Sequence, residues 1–254
     1  MVILELKNGT KIINNGSSEQ KILLNKVNLS IQQGEFITVL GGNGAGKSTL
    51  FNTISGTLPL TKGKLLIHDK DVTNYSEERR AQYISRVFQD PKMGTAPRMS
   101  VAENLLLAKN RGQKRVLKLR QLKQNRELFY SLCAEIGNGL ENHLDTPAGN
   151  LSGGQRQALS LLMATIQTPE LLLLDEHTAA LDPKTSKQLM EITARRVADK
   201  QLTCLMITHR MEDALKYGNR MIVLQKGEIV KDLNAKEKAE LTLPDLLQFF
   251  EEIV

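Results

Sequence analysis

The chain has 254 residues, of which 41% are hydrophobic and 24% are charged, and this is the composition of a globular protein and not of a disordered chain. No apolar run approaches the roughly 18 residues that cross a bilayer, and the N-terminus lacks the apolar core of a signal peptide, so we expect a cytoplasmic protein. The net charge of +6 is compatible with nucleic acid, with an anionic membrane surface or with no charged partner. The excess is largely local, because eight Lys or Arg and no Asp or Glu lie between Lys109 and Arg126.

Apolar, strand-like runs recur along the chain, and helix-like segments separate many of them. The predicted strands are 36–40, 64–68, 83–88, 171–175, 203–208 and 220–224. Several are apolar on both faces, which is typical of strands in a buried sheet. The first 35 residues are interpreted as short strands and turns, with one turn at 14–18. This alternation predicts an α/β fold with helices layered on a sheet.

The region 92–150 contains no convincing strand and is predicted to be a helical insert. A helix that starts at Ser100 has Glu103 three residues on, which is a capping-box pattern. Residues 115–137 have apolar side chains close to helical spacing. A last helix over 242–254, capped by Thr242, is predicted to dock on the chain's own core, with a partner interface as the alternative.

The cysteines and histidines give no metal or disulfide pattern. Cys133 and Cys204 are the only cysteines, and neither belongs to a CxxC pair. We therefore expect two buried, reduced thiols. The four histidines show no metal-ligand spacing.

A glycine-rich loop between a strand and a helix predicts phosphate binding. Residues 41–48, GGNGAGKS, fit the pattern G-x-x-x-x-G-K-S in the strand-loop-helix context that this motif requires. Glycines let backbone N–H groups converge on phosphate oxygens, and the helix N-terminus adds its positive dipole. Lys47 is expected to reach the β- and γ-phosphates, and Ser48 to offer its hydroxyl to Mg²⁺. The candidate nucleotide-binding residues of this loop are Gly41, Gly42, Asn43, Gly44, Ala45, Gly46, Lys47, Ser48 and Thr49.

An acidic pair follows the apolar run 171–174. Asp175 is expected to emerge at the carboxyl end of a buried strand, where α/β sheets place their ligands, and to hold Mg²⁺. Glu176 beside it is expected to polarise an attacking water. Such a pair is common alone, and it gains weight from the phosphate loop in the same chain.

The pentapeptide LSGGQ at 151–155, combined with these two motifs, resembles the signature of the ATP-binding cassette (ABC) family. Gln89 in VFQDP matches the family's Q-loop, Asp182 in AALD its D-loop, and His209 in MITHR its switch histidine. The motifs run in family order, and the resemblance covers essentially the whole chain. It implies an α/β fold with a P-loop NTPase core, an N-terminal antiparallel β subdomain and an inserted α-helical subdomain. The implied single domain 1–254 divides into a nucleotide-binding core (1–91 and 157–254) and a helical subdomain (92–156) that ends in the signature.

The resemblance also implies why one chain has two glycine motifs. In the family two cassettes pack head to tail, and the signature of one closes over the ATP in the phosphate loop of the other. Ser152 and the N–H groups of Gly153 and Gly154, at the start of a helix, are suited to a second anion site. The candidate nucleotide-binding residues of the signature are Ser152, Gly153, Gly154 and Gln155, and Asp182 of the D-loop match is a further one.

Hydrolysis in the family implies roles for individual residues of this chain. Lys47 and Mg²⁺ neutralise charge, Glu176 activates water, and His209 contacts the γ-phosphate and holds the water geometry. Gln89 is assigned to catalysis and, with Ser48 and Asp175, to Mg²⁺. Its place at the junction of core and insert suits it to report the nucleotide state.

Two positions depart from the family pattern. An aromatic residue that stacks on adenine is usual in the N-terminal region, and by register Ile13 (or Ile12) stands there. We therefore expect looser ATP binding than an aromatic residue gives. The residue after the acidic pair is commonly proline and here is His177, which is either a spectator on a loop or a proton-linked neighbour of the site.

A lone cassette resembles the energising subunit of a bacterial transporter, peripheral on the inner face of the membrane. The implied partners are a second copy, an integral membrane permease and an extracytoplasmic solute-binding protein, with import favoured and amino acids, some aromatic, as cargo. Lys114, Arg115 and Lys118 are hypothesised to face the permease or anionic lipid, and a solvated helix face is the alternative. An export subunit and a nucleic-acid-acting ATPase remain alternatives, although the basic stretch lacks interleaved aromatic residues and no nucleic acid is expected.

Overall fold

The computed structural model describes residues 1–14, 20–113 and 121–251, apart from the side chains of 250 and 251. The strands described there are β1 (Val2–Asn14), β2 (Gln20–Gln32), β3 (Phe36–Leu40), β4 (Lys62–Ile67), β5 (Lys70–Asp71), β6 (Ile84–Val87), β7 (Leu171–Asp175), β8 (Cys204–Ile207), β9 (Arg220–Gln225) and β10 (Glu228–Leu233). The helices are α1 (Lys47–Ser55), α2 (Glu77–Arg80), α3 (Val101–Lys109), α4 (Leu122–Ala134), α5 (Gly153–Thr165), α6 (Pro183–Asp199), α7 (Met211–Lys216), α8 (Ala235–Ala239) and α9 (Leu243–Glu251). Short 3₁₀ turns cover Leu140–His143 and Ala148–Asn150.

The strands form two sheets. The larger sheet has six strands in the order β10-β9-β3-β8-β7-β6, and all its neighbours are parallel except β10 and β9. The smaller sheet is antiparallel, in the order β2-β1-β4-β5. The six predicted strands are all present, and the α/β fold class is confirmed.

The large sheet is buried on both faces. Along β7, Leu171 and Leu173 pack into the cluster formed with the antiparallel sheet and α1, whereas Leu172 and Leu174 pack into the cluster formed with helices α3 to α6. Alternate side chains of a strand point to opposite faces, so a strand covered on both sides must be apolar throughout. This is why LLLLD forms a central strand.

The N-terminal region differs from the prediction of short strands and turns, because β1 and β2 are each 13 residues long. Register shifts lie between Leu6 and Gly9 and between Gly9 and Lys11, and Asn8 and Lys26 have positive φ. Such bulges interrupt the alternation of side chains that marks a continuous strand. The turn predicted at 14–18 lies mostly outside the described residues.

Strand β10 was missed for another reason. Most of its side chains are exposed or half-buried, and it pairs at the edge of the sheet with β9. A solvated edge strand has no apolar run to reveal it. The very short β5 was also missed.

The region between β6 and β7 contains α3, α4, α5 and the two 3₁₀ turns, without a named strand among its described residues. The predicted capping box is present, because Ser100 Oγ accepts from the N–H of Glu103 and the Glu103 carboxylate accepts from the N–H of Ser100. The helix predicted over 115–137 is described only as α4, since residues 114–120 lie outside the described residues.

The last helix, α9, packs on the chain's own core as predicted. Leu246 is fully buried in a cluster with Leu40 and Met221, whereas Leu247 of the predicted apolar face is 46% exposed. Thr242 accepts a long hydrogen bond from the N–H of Asp245, whose carboxylate accepts from the N–H of Thr242. Helix α9 therefore starts with a reciprocal cap.

Both thiols behave as predicted. Cys133 and Cys204 are buried and unpaired, and burial raises the pKa of the Cys133 thiol to about 12. Within the described ranges, no helix combines the length and the apolar character needed to cross a membrane.

Candidate functional site

The candidate site lies where three adjacent parallel strands end. Val39 of β3 and Asp175 of β7 both align with Ile207 of the intervening β8. The residues that follow are the phosphate loop, Glu176 and the segment that leads to His209. Carboxyl ends of parallel strands are where α/β sheets bind ligands.

The phosphate loop is pressed against two strands, and this contact requires glycine. A Cβ at Gly46 would lie 2.8 Å from the carbonyl oxygen of Leu23 in β2, and the φ of Gly46 is 105°. A Cβ at Gly41 would lie 2.4 Å from the carbonyl oxygen of Leu224 in β9. The loop therefore approaches the backbone more closely than any side chain permits.

Lys47 is the first residue of α1 and is buried beneath the loop. Its Nζ donates to the carbonyl oxygens of Gly41 at 2.7 Å and Gly42 at 3.0 Å. Burial lowers the pKa of this ammonium, and the carboxylates of Glu176 and Asp175 oppose that shift. The ammonium thus lies within the field of both acidic residues, while Ser48 beside it is exposed.

Glu176 and His209 are in direct polar contact, with 2.6 Å between Glu176 Oε1 and His209 Nε2. The glutamate side chain is 13% exposed and the histidine 45%. Glu176 has a φ of 45°, a left-handed conformation that is uncommon for a residue other than glycine, and its N–H donates to the carbonyl of Ile207. The fold therefore holds Glu176 in an unusual backbone conformation, with its carboxylate against the His209 imidazole.

Asp175 contacts a residue that the sequence did not single out. Arg86 of β6 donates to Asp175 Oδ2 at 2.5 Å and to Asn52 Oδ1 of α1 at 2.7 Å. A single arginine within a strand does not stand out in the sequence pattern, and Asp175 is 89 residues away from it. Only the structure reveals this contact.

Gln89 follows β6 and is exposed. The carbonyl just before it, that of Phe88, accepts a hydrogen bond of 2.8 Å from Nε2 of the buried Gln157 in α5. Gln157 therefore joins the helix that follows the signature to the segment that carries Gln89. Gln157 ends the stretch LSGGQRQ, and its residue type alone gives no sign of this contact.

The signature residues start α5 and lie beside the start of α6. Ser152 Oγ accepts from the N–H of Gln155, whose side chain accepts from the N–H of Ser152. A Cβ at Gly154 would lie 2.6 Å from Thr185 Cγ2, and the N–H of Thr185 donates to the Asp182 carboxylate, which caps α6. Hydrogen bonds from Thr185 lower the pKa of Asp182. The exposed Ser152 and Gly153 leave the start of α5 open.

Ile13 lies near the end of β1, paired with Lys21, and is half-buried. Further along the same hairpin, the Leu23 carbonyl contacts the phosphate loop at Gly46. The structure thus places the hairpin that carries Ile13 beside the loop, and the contact with adenine stays a prediction.

His177 lies in the turn that follows β7, and its side chain is buried in the core. It is 2% exposed, and its Nε2 lies 3.1 Å from Thr193 Oγ1 in α6. The Thr193 hydroxyl already donates to the carbonyl of Leu189 at 2.7 Å, so His177 Nε2 must carry the hydrogen and donate. Burial lowers the pKa of His177 to about 4. The imidazole is therefore neutral near pH 7, which argues against the proton-linked alternative.

The basic stretch is only partly described, because Lys114, Arg115 and Lys118 lie outside the described residues. Its two end residues are described: Lys109 donates a hydrogen bond to Asn125, and Arg126 forms an ion pair with Asp145 through two hydrogen bonds. These two cations therefore have partners within the chain, and the membrane-facing hypothesis stays a prediction.

The oxygen donors near the loop suit Mg²⁺. The Ser48 hydroxyl and Asp175 carboxylate are hard ligands, and this ion usually takes one or two carboxylates together with waters and substrate phosphates. In the described part of the chain, no group of three or more His, Cys, Asp or Glu side chains could hold a metal ion.

The parallel sheet, the glycine loop before α1 and the acidic pair at the strand ends define a P-loop nucleoside triphosphatase. A family model described as ABC transporter matches residues 24–179. The chain belongs to the ABC transporter family, as an ATP-binding subunit that hydrolyses ATP. The resemblance drawn from the sequence motifs is thereby confirmed.

Curated relatives extend over the whole chain. A tyrosine transport ATP-binding protein of Clostridioides difficile (strain R20291) is 45% identical over 251 residues, covering 98% of this chain and 99% of the relative. A phosphonates import ATP-binding protein of Lactococcus lactis subsp. cremoris (strain SK11) is 32% identical, covering 96% and 98%.

Solved structures are similar at the level of the whole fold. A dimeric ATP-binding cassette in a post-hydrolysis state, bound to ADP and phosphate, has a TM-score of 0.77 and 27% identity, covering 92% of this chain and 99% of that one. An ABC transporter cassette in its ADP conformation has a TM-score of 0.77 and 26% identity, covering 99% of each chain.

Proposed function

We propose that the chain binds ATP with Mg²⁺ at the strand ends and hydrolyses it to drive solute import through a separate membrane permease. The observation that carries this proposal is the 2.6 Å contact between Glu176 and His209 at the same sheet edge as the phosphate loop. A carboxylate oriented by an imidazole next to a phosphate site is suited to activate water.

In this proposal the phosphate loop binds the triphosphate of one ATP. Backbone N–H groups from Gly41 to Gly46 and the first turn of α1, with Ser48 and Thr49, face the phosphate oxygens. The Lys47 ammonium gives up its hydrogen bonds to the two loop carbonyls and binds the β- and γ-phosphates instead. The negative charge of the phosphates favours this change. Ile13 on the adjacent hairpin faces the base.

In this proposal Ser48, Asp175 and Gln89 would hold Mg²⁺. When bound, the ion neutralises charge on the phosphate oxygens during transfer. Asp175 directs one oxygen at Arg86, which leaves Oδ1 for the ion or its waters. Gln89 joins this set from the end of β6, next to the carbonyl held by Gln157.

Hydrolysis needs a base that is oriented and only partly solvated. His209 holds Oε1 of Glu176, so Oε2 is left to accept a proton from the attacking water. His209 is the more exposed of the two and contacts the γ-phosphate from the solvent side.

The second copy completes each site. At the start of α5 the N–H groups of Gly153 and Gly154 face the γ-phosphate of the partner, and the capping pair Ser152 and Gln155 holds them in place. Asp182 lies beside them through Thr185. A similar cassette solved as a dimer with ADP and phosphate supports this arrangement.

The permease docks in a groove close to Gln89. This groove, about 610 Å³ in volume, is formed by the end of β6, α3 and α5, with Phe88, Met93, Leu107 and Met163 among its walls. Met93 is 70% and Leu107 52% exposed. Such an apolar surface is suited to an amphipathic cytoplasmic helix of the permease, and in this proposal the chain lies on the inner face of the membrane.

The cargo class is an amino acid, with aromatic ones foremost, delivered by an extracytoplasmic binding protein. The relative that is 45% identical and is named for tyrosine transport supports this choice. Two further relatives, near 32% identical, are named as a phosphonates import and a spermidine/putrescine import ATP-binding protein, and these names support import. No nucleic acid takes part.

The first test is hydrolysis by the purified chain with Glu176→Gln. Loss of the base should lower the rate of ATP hydrolysis by about 10²–10⁴-fold, while ATP affinity stays within about threefold because the amide is isosteric. Glu170→Gln is the matched control, since that glutamate is exposed and pairs with His68 outside the site. A Glu176→Gln protein that keeps more than about a tenth of the rate would contradict the assignment.

A second test addresses cargo and direction. Cells that lack this chain should lose uptake of labelled tyrosine or tryptophan, and the wild-type chain should restore it whereas Glu176→Gln should not. Unchanged uptake of every aromatic amino acid would refute the cargo class, and loss of efflux instead of uptake would refute import.

A further inference from the structure

Arg86 occupies a place in the site that none of the sequence motifs describes. It lies on β6, opposite Leu173 of β7, and Asp175 ends β7 two residues further on. Its Nη2 lies 2.5 Å from Asp175 Oδ2 and its Nη1 2.7 Å from Asn52 Oδ1. The side chains of Arg86 and Asp175 are 12% and 14% exposed. One guanidinium therefore joins three elements: the strand before Gln89, the helix after the phosphate loop and the strand that ends in the metal-side carboxylate.

The guanidinium is held in place by more than its hydrogen bonds. Its central carbon lies 4.7 Å from the centre of the Phe88 ring and 6.0 Å from that of Phe51. Cations over aromatic faces within about 6 Å are attracted to them. The Nε of Arg86 is buried and has no hydrogen-bond partner among the described residues. The group is thus confined by two rings and two oxygen acceptors.

This arrangement assigns the two oxygens of Asp175 to different partners. Arg86 takes Oδ2 and thereby fixes the plane of the carboxylate, so that Oδ1 has a defined direction. Groups that hydrogen-bond to a metal-binding carboxylate orient it, and their loss typically costs 10–100-fold in metal affinity. Lysine is a poor substitute, because a single ammonium lacks the planar fork that reaches two acceptors at once.

We propose that Arg86 is a positioning residue: its guanidinium, anchored on Asn52, orients the Asp175 carboxylate and so determines how strongly Mg²⁺ enhances nucleotide binding. This inference rests on the proposed function, in which Asp175 holds Mg²⁺. A merely stabilising ion pair is the alternative. The two differ in one measurable quantity, the ratio of the nucleotide Kd without Mg²⁺ to the Kd with Mg²⁺.

The experiment measures ADP binding to the full chain by calorimetry, once with Mg²⁺ and once with EDTA. Arg86→Met should reduce the ratio of the two Kd values about tenfold or more, with the Kd in EDTA within about threefold of wild type, because the phosphate loop and Lys47 are untouched. Asn52→Ala should reduce the ratio in the same direction. Arg86→Lys serves as the second variant if Arg86→Met does not fold, and a reduced ratio is expected there too.

Arg220→Met is the matched control. Arg220 forms a similar pair, with its Nη2 2.7 Å from Asp232 Oδ2 and its Nη1 3.0 Å from Glu35 Oε2, and its side chain is 17% exposed. This pair is remote from the strand ends that carry Asp175. Its loss should lower the melting temperature but leave the Mg²⁺ ratio as in wild type.

The outcomes separate this inference from the function on which it rests. A wild-type ratio of one would refute the Mg²⁺ role of Asp175, and the Arg86 inference with it. A large wild-type ratio that Arg86→Met and Arg86→Lys leave within about threefold would overturn the inference alone. The Arg86 inference would also be overturned if Arg86→Met raised the Kd with Mg²⁺ and the Kd in EDTA by the same factor.

Discussion

At the scale of single residues, the acidic pair depends on neighbours whose role is to hold it. His177 directly follows Glu176 and reaches into the core, where its Nε2–H donates to Thr193 of α6. The residue thus ties the strand end with the candidate base to a long helix. Burial lowers the pKa of His177 to about 4 from a usual value near 6.5, so this tie should weaken in acid.

The direction of that pH effect follows from proton linkage. Between pH 6.5 and 4 the unfolded chain binds a proton at His177 and the folded chain does not, so the free energy of unfolding falls as the pH falls. Urea unfolding at pH 7 and pH 4.5 should show a loss of unfolding free energy that is about 2–3 kcal/mol larger in wild type than in His177→Gln. At pH 7 the imidazole is mostly neutral in both the folded and the unfolded chain, so almost no proton-linked difference is expected there. Parallel pH dependences of the two proteins would contradict the buried, neutral imidazole.

At the scale of elements, α3 and α5 begin with the same kind of capping box. Ser100 with Glu103 caps α3, and Ser152 with Gln155 caps α5. The first is partly buried within the chain, whereas Ser152 is exposed at the proposed interface. The two helices therefore offer a matched pair that separates capping from phosphate binding.

Ser100→Ala and Ser152→Ala should each lower the free energy of unfolding by about 1 kcal/mol, the usual contribution of a serine N-cap. Only Ser152→Ala should also weaken ATP-dependent dimerisation, because its hydroxyl is expected to face the partner's γ-phosphate. Urea unfolding and light scattering, both in a Glu176→Gln background, measure the two effects. If Ser100→Ala weakened the dimer equally, the effect would belong to helix stability and not to contact with ATP.

Elements with strong local signals were predictable from the sequence, and long-range pairings were not. Strand 171–175 is apolar on both faces and was found with its bounds, and the capping box at Ser100 was read directly from residue types. The bulges of β1 and the edge pairing of β10 left no periodic pattern. Likewise Arg86 and Thr193 acquire their roles from partners distant in sequence. Lys47, Asp175 and Glu176 could be named because their chemistry restricts both residue type and position.

At the scale of the whole molecule, the chain carries the two glycine motifs proposed to bind phosphate on different elements. The phosphate loop follows β3 in the sheet, whereas the signature starts α5 in the helical region beside Asp182. A single ATP bound to one chain would leave the second surface unused. The proposed head-to-tail packing of two copies would use both surfaces and would make the dimer dependent on the γ-phosphate.

The most direct measurement is the mass of the Glu176→Gln chain by light scattering, with and without ATP and Mg²⁺. We predict a monomer without nucleotide and a doubled mass with ATP, reverting to monomer when ADP replaces ATP. Adding Ser152→Phe should abolish the shift while leaving ATP binding to the phosphate loop intact. A chain that binds ATP yet stays monomeric at saturation, or one that dimerises equally with Ser152→Phe, would contradict the account of two half-sites.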